Sequence, residues 1–215
     1  MTNILIAGVG GQGTVLAAKL LAAAATNKGW QVRTAETIGM AQRGGSVVSH
    51  VRMGDGGEEV LAPLITHGTA DMIIGFEPGE AARAVPYLAR DGMVVTATTT
   101  VQPVTSSLSG EPYDAQGILN GLQTMLYNEA VRMRTSGRRR AGRDGAGLRE
   151  PELVCVNDAA VLRRLGAPRR MLNTVMLAAA LSKGRVPLTV DDLREAIPHV
   201  IKPQHVAANL RATEL

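Results

Sequence analysis

The chain has 215 residues, which is the size of one domain, and its 45% content of hydrophobic residues is enough for a substantial core. No apolar stretch approaches the roughly 18–20 residues that cross a bilayer, and no basic leader of a signal peptide precedes the first apolar run, so we expect a cytoplasmic protein with no membrane partner. Cys155 is the only cysteine. It excludes a disulfide framework, and also an iron–sulfur cluster held by this chain alone, because such clusters normally need four ligands that are mostly thiolates.

The net charge of +4 comes from one segment. Seven arginines and one aspartate lie between residues 132 and 149, so the rest of the chain carries 16 basic and 18 acidic residues. Surfaces that bind nucleic acid usually combine basic side chains with aromatic rings that stack on bases, whereas this segment mixes arginine with glycine and has no aromatic residue. We therefore predict a solvated flexible loop at 135–150 and no nucleic-acid partner. The alternative is that this segment binds an acidic protein partner or nucleic acid.

The first element in the chain is a strand at 3–7, which runs into a glycine-rich turn and then a helix at 14–27. The turn has the G-x-G-x-x-G spacing. Its first glycine allows a tight turn, the second lets backbone approach a ligand, and the third lets helix pack on strand. The free N–H groups and the dipole of the helix favour an anion by about 0.3–1 kcal/mol. The turn therefore predicts a site for phosphate or diphosphate, formed by Gly8, Gly10, Gly11, Gln12 and Gly13.

Strands and helices alternate after this unit. Further strands are predicted at 30–36, 46–53, 71–76, 93–97 and 153–156; further helices at 78–89, 115–134, 159–165 and 171–181, with two more that begin near Thr189 and Pro203. This alternation is typical of an α/β, Rossmann-like fold with a mainly parallel sheet flanked by helices, here with a helical C-terminal third. We expect a single domain that spans residues 1–215.

The residues after the second predicted strand allow two interpretations. Glu36 lies 23 residues after Gly13, where the acidic residue of a dinucleotide fold binds ribose hydroxyls, so an NAD- or FAD-dependent oxidoreductase is one candidate. The next loop carries Gln42, Arg43, Gly44 and Gly45, in which a guanidinium and backbone N–H groups suit phosphate or carboxylate. A purely structural module with an empty turn is the third possibility.

Other polar residues are expected to be structural, and no catalytic residue or metal site is predicted. The histidines lack the spacing of metal ligands, and His50 is expected to be a structural or interface residue. Glu77 and Glu80 suit the N-terminus of a helix. Cys155 is expected to be a buried thiol. Asn173 and Thr174 are expected to cap a helix or to contact another subunit.

Three groups of residues together resemble the gamma-type domain of 2-oxoacid:ferredoxin oxidoreductases, and among them the small subunits of the indolepyruvate enzymes. The resemblance covers nearly the whole chain. It rests on the glycine turn, on the run from Glu36 through Gln42-Arg43-Gly44-Gly45 to Arg52, and on the later stretches 70–81, 93–97 and 173–177.

This resemblance implies a division of labour between subunits. It implies a large partner that carries thiamine diphosphate and iron–sulfur clusters, while the gamma-type chain binds no cofactor of its own and lies near the path of the substrate coenzyme A. The implied reaction is oxidative decarboxylation of a 2-oxoacid, here an arylpyruvate, to an acyl-CoA with ferredoxin as electron acceptor. A subunit with one cysteine agrees with that arrangement.

Overall fold

A computed structural model of the chain describes residues 1–39, 45–102, 113–135 and 149–215. These residues contain a six-stranded sheet whose strand order is β2-β3-β1-β4-β5-β6. The strands are β1 (Thr2–Val9), β2 (Gln31–Ile38), β3 (Ser46–Gly54), β4 (Ala70–Gly75), β5 (Leu88–Ala97) and β6 (Glu152–Val156). Strands β1, β4, β5 and β6 are parallel neighbours, whereas β3 is antiparallel to both β1 and β2.

Helices cover both faces of this sheet. They are α1 (Thr14–Asn27), α2 (Pro78–Ala84), α3 (Ala115–Thr135), α4 (Asp158–Arg164), α5 (Leu172–Leu181), α6 (Val190–Val200) and α7 (Pro203–Arg211). Alternate side chains of each strand point to opposite faces, so Ile4 and Ile6 join the core under α1, α5 and α6, while Leu5 joins the core under α2 and α3. The α/β fold class with a mostly parallel sheet and a helical C-terminal third is confirmed.

The region around Pro86 departs from the sequence prediction. The predicted helix at 78–89 ends at Ala84, a short 3₁₀ turn follows at Val85–Tyr87, and β5 begins at Leu88 rather than near residue 93. Proline has no N–H for the helical ladder, and its ring clashes with the carbonyl group one turn earlier in an α-helix. The helix therefore ends one turn early, and the released residues extend β5.

Two structural expectations are wrong. The N-cap of α5 is Met171, which makes no side-chain cap. Asn173 lies inside the first turn, with its Oδ1 accepting from the N–H of Thr174 at 2.8 Å. Cys155 is exposed rather than buried, because it lies on edge strand β6 and points away from the face on which Val154 and Val156 meet the larger core. Burial of part of its side chain still raises the pKa of the Cys155 thiol.

No helix in the described ranges is both long and apolar enough to cross a membrane. The Arg- and Gly-rich loop predicted at 135–150 falls mostly on residues 136–148, which lie outside the described residues.

His50 is a structural residue of β3. It is 3% exposed, and its Nδ1 accepts a hydrogen bond from the N–H of Ile65 at 3.2 Å. The ring of Tyr87 meets it edge-on with 5.7 Å between ring centroids. Burial lowers the pKa of His50, since the charged imidazolium loses its hydration.

His50 should make the free energy of unfolding depend on pH. The folded chain prefers neutral imidazole. The stability that the neutral ring contributes is therefore complete above the unfolded pKa of about 6.5, and it is lost as the pH falls from there through the folded pKa. We expect denaturant unfolding to show declining stability from pH 7 to pH 5. In the His50→Asn variant, which keeps an acceptor near Nδ1, the decline should be smaller; an equal decline would contradict this assignment.

Candidate anion-binding site at the carboxyl edge of the sheet

The glycine turn lies at the point where the connections that follow two neighbouring strands pass to opposite faces of the sheet. Helix α1 follows β1 and packs on one face, whereas α2 follows the neighbouring strand β4 and packs on the other. Ligands of open α/β sheets bind in the crevice that such a switch creates at the carboxyl ends of the strands. The residues at this point are Gly8 to Gly13 from β1 and Phe76 to Glu80 from β4.

The side chain of Gln12 closes the turn. Its Oε1 accepts a hydrogen bond from the N–H of Val9 at 2.7 Å, and its Nε2 donates to the carbonyl oxygen of Phe76 at 3.0 Å. The backbone N–H of Gln12 also donates to the carbonyl of Val9 at 3.0 Å. One carboxamide thus joins the end of β1 to the end of β4 and fixes where α1 begins.

Gly13 is the N-cap of α1 and has left-handed backbone with φ of 87°, and no side chain of the described residues caps this helix. A Cβ on Gly13 would come 3.2 Å from Nδ2 of Asn173. At Gly11, with φ of 97°, no described residue other than its chain neighbours has an atom within 4 Å of the Cβ position. Gly11 is exposed and Gly13 is partly exposed. The start of α1 is therefore open to solvent on one side and packed against α5 on the other.

The backbone N–H groups of the turn fall into two sets. Those of Gly10 and Gln12 are used within the chain, by the carbonyl oxygens of Gly45 and Val9. Those of Gly11, Gly13 and residues 14–16 have no hydrogen-bond acceptor within the described parts of the chain. The second set is the part of the turn that is available to an anion.

The loop after β2 is fastened to this turn at its ends. The N–H of Gly10 donates to Gly45 at 2.9 Å, and the N–H of Gly39 donates to Ser46 at 2.8 Å. The hydroxyl of Ser46 donates to Oε2 of Glu80 at 2.5 Å. Gly45 therefore lies beside the turn. The other predicted binding residues of this loop lie outside the described residues, and their role stays a prediction: Gln42, Arg43 and Gly44.

The two acidic residues at the start of α2 are used structurally. Glu77 is 2% exposed and caps α2 by accepting from the N–H of Glu80 at 3.0 Å, which confirms the predicted cap. Glu80 pairs instead with Ser46 and with Arg83. No sequence pattern marks Tyr113, whose hydroxyl donates to Oε1 of Glu77 at 2.6 Å. Burial, helped by Glu77, raises the pKa of Tyr113 and keeps the phenol protonated.

The position of Glu36 weighs against a dinucleotide site. Glu36 lies opposite Ser49 of β3, and Ser49 lies opposite Ile6 of β1. Strand β3 therefore separates Glu36 from β1. At a spacing of about 4.8 Å per strand, the backbone of Glu36 lies about 10 Å from β1. In a dinucleotide fold the acidic residue is on the strand adjacent to β1. The inserted strand β3 breaks that arrangement, and Glu36 is exposed.

Comparison with known proteins identifies the family. The family model for pyruvate ferredoxin/flavodoxin oxidoreductase matches residues 3–215. The chain is 32% identical over 214 residues to the indolepyruvate oxidoreductase subunit IorB of Pyrococcus horikoshii, covering 99% of this chain and 93% of that protein. The chain belongs to the pyruvate ferredoxin/flavodoxin oxidoreductase family. The resemblance identified from its motifs is thereby confirmed.

Solved structures agree with this fold. The gamma subunit of a keto/oxoacid ferredoxin oxidoreductase from Geobacter sulfurreducens superposes with a TM-score of 0.61 at 18% identity, over 100% of this chain and 95% of that one. A 2-oxoglutarate:ferredoxin oxidoreductase from Magnetococcus marinus, solved with 2-oxoglutarate, coenzyme A and succinyl-CoA bound, gives a TM-score of 0.64 at 17% identity. The match covers 99% of this chain and 30% of that one.

Two left-handed glycines of the turn, Gly11 and Gly13, permit a matched test. Gly13→Ala should lower the free energy of unfolding by about 2–3 kcal/mol, because left-handed backbone costs about 1–2 kcal/mol for a residue with a Cβ and the new methyl also meets Asn173. Gly11→Ala should cost only the backbone part. Urea unfolding of both variants measures the difference; equal losses would show that Asn173 does not press on Gly13.

Proposed function

We propose that this chain is the accessory subunit of a thiamine diphosphate-dependent 2-oxoacid:ferredoxin oxidoreductase that acts on arylpyruvates. In this reaction the bond between the carboxyl and carbonyl carbons breaks, carbon dioxide leaves, and the acyl carbon forms a thioester with the sulfur of coenzyme A. Two electrons pass to ferredoxin. The observation that carries the proposal is the 32% identity to an indolepyruvate oxidoreductase subunit over nearly the full length of both chains.

The redox centres belong to a large partner subunit in this proposal. A cluster with four thiolate ligands does not fit a chain with one cysteine, and that cysteine lies on edge strand β6, away from the glycine turn. Thiamine diphosphate on the same partner would stabilise the carbanion formed on decarboxylation. The accessory chain contributes binding and orientation of the acyl acceptor.

The contribution of this chain is to hold the phosphates of coenzyme A. Within the described residues, the N–H groups of Gly11, Gly13 and the first turn of α1 have no acceptor, and they lie at the crevice between β1 and β4. Hydrogen bonds to a charged acceptor are worth about 1.5–3 kcal/mol each, and the helix dipole adds to them. Arg43 of the neighbouring loop would supply a positive charge. Orientation of the thiol toward the acyl group follows from fixing the phosphates.

The proposal is tested by reconstitution. The chain alone should show no 2-oxoacid oxidation with coenzyme A and a dye acceptor, whereas the complex with its large partner should oxidise indolepyruvate and form the acyl-CoA in amounts equal to the carbon dioxide released. Pyruvate should be a poorer substrate, with a lower kcat/KM than indolepyruvate. Full activity of the chain alone would contradict the assignment, as would a complex that reduces NAD and ignores coenzyme A.

A further inference from the structure

Strand β2 leaves one side of the sheet open. Among the described strands it pairs only with β3, and six of its eight residues are exposed. Proteins usually guard such an edge with a short strand, a bulge, proline or lysine. This strand contains neither proline nor lysine, its register with β3 is unbroken, and its two charged residues, Arg33 and Glu36, are opposite in sign. The edge can therefore accept another strand.

The hydrogen-bond pattern shows which residues of β2 face the open edge. The N–H of Gly39 donates to the carbonyl of Ser46, which lies opposite when the register of β2 and β3 continues by one residue. Opposite residues of an antiparallel pair exchange hydrogen bonds at alternate positions. The odd-numbered residues of β2 therefore direct their N–H and carbonyl groups to β3. The even-numbered residues direct theirs outward: Val32, Thr34, Glu36 and Ile38.

Apolar side chains are exposed beside this edge on both faces of the sheet. Ile38 at the end of β2 is 65% exposed, and in the loop after β3 Leu61 and Leu64 are 82% and 55% exposed. Arg52 of β3 holds that loop on the other face, because its Nη1 donates to the carbonyl oxygens of Ala62 at 2.8 Å and Leu64 at 3.3 Å. Exposed apolar groups around an open strand favour a protein as the occupant.

We propose that a second copy of this chain adds its own β2 to this edge, antiparallel and about a two-fold axis at Ala35. In an antiparallel pair two opposite residues either both direct their backbone groups at each other or both direct them away. The outward-facing, even-numbered residues of one copy must therefore lie opposite even-numbered residues of the other. Pairing through these residues would join the two six-stranded sheets into one.

The side chains select the register centred on Ala35. In this register Val32 lies opposite Ile38 of the copy and Thr34 lies opposite Glu36 of the copy, and the two-fold axis repeats both pairs. A register centred on Thr34 would instead place Val32 opposite the Glu36 carboxylate. One centred on Glu36 would place two carboxylates directly opposite each other, which is destabilising.

The charges of the strand agree with the same register. Arg33 lies opposite Thr37 of the copy, whereas a register centred on Arg33 would oppose two guanidinium groups. The two Glu36 side chains lie on a diagonal at about 7–8 Å, and they are exposed, so salt screens their repulsion. The strand thus complements itself, with apolar pairs at its ends and threonine–carboxylate pairs around the axis. This self-complementarity identifies the occupant as a second copy.

A symmetric disulfide tests the pairing and its register. Ala35 and Ala35 of the copy would form a non-hydrogen-bonded pair with Cα atoms about 4.5 Å apart, which suits a disulfide. In a Cys155→Ser background, mild oxidation of Ala35→Cys should give a species of twice the chain mass on non-reducing gels, from the full chain and from the assembled complex. Arg33→Cys is the matched control and should cross-link poorly, because its counterpart would be about 13 Å away.

Charge changes at the exposed Thr34 test the same pairing without a cross-link. A contact of one strand is small, so we expect a dimer that dissociates on dilution. Thr34→Lys faces Glu36 of the copy and should lower the dimer Kd in sedimentation by about 5-fold, whereas Thr34→Glu should raise it by about as much. Combining Thr34→Glu with Glu36→Lys should restore it. Thr34→Pro, which removes an outward N–H only, should raise Kd by at least about 10-fold and leave urea unfolding of the monomer nearly unchanged.

Other occupants of the edge give different results. If the large partner covers β2, the chain sediments as a monomer at every concentration, Ala35→Cys does not cross-link in the complex, and amide exchange at residues 34 and 36 slows only when the partner is added. That result would overturn the proposal. Equal cross-linking of Ala35→Cys and Arg33→Cys, or a higher Kd for both Thr34→Lys and Thr34→Glu, would overturn the register.

Discussion

The carboxamide of Gln12 is the interaction on which the arrangement of the site depends. It satisfies the N–H of Val9 and the carbonyl of Phe76 at once, so the ends of two parallel strands and the start of α1 form one rigid unit. A shorter side chain at position 12 would leave both backbone groups without these partners, at a cost comparable to one or two buried hydrogen bonds. With the turn fixed, Gly13 meets α5 and the loop at Gly45 meets Gly10.

Sheet topology then decides which ligand chemistry this turn can serve. Strand β3 lies between β1 and β2 and runs antiparallel to both, so the acidic residue of β2 is moved one strand away from the turn. The turn keeps backbone donors of the kind that suit phosphate, but it lacks the neighbouring acidic residue that would select a ribose. This combination fits a ligand that is held mainly through its phosphates. The proposed acyl acceptor, coenzyme A, is such a ligand, because its thiol lies at the end of a long flexible arm.

Local sequence signals predicted most of the fold. The apolar strand before Gly8, the apolar helix after Gly13 and the proline at position 203 each mark an element through neighbours only a few residues away, and these elements were predicted within a few residues of their ends. The mostly parallel sheet followed from their alternation. The order of β3 within the sheet had no local signal, because strand pairing is decided by contacts between residues distant in sequence.

The candidate site also contains residues that local sequence patterns predict and residues that they do not. The turn from Gly8 to Gly13 is contiguous and could be identified from spacing alone. Tyr113 and Ser46 reach the acidic residues of α2 from elsewhere in the chain, and no pattern marks them. Asn173 drew attention as a possible cap, but it lies against Gly13 because α5 packs beside the start of α1, which only the three-dimensional arrangement reveals. The exposure of Cys155 likewise depends on β6 being an edge strand.

The central claim is that backbone N–H groups at the start of α1 hold the phosphates of coenzyme A in the assembled enzyme. Amide hydrogen exchange of the complex, measured with and without coenzyme A, tests this most directly. The account predicts slower exchange in residues 11–16 by roughly an order of magnitude or more when coenzyme A is present, with no change in α7. Unchanged exchange in residues 11–16, with protection confined to the large subunit, would contradict it.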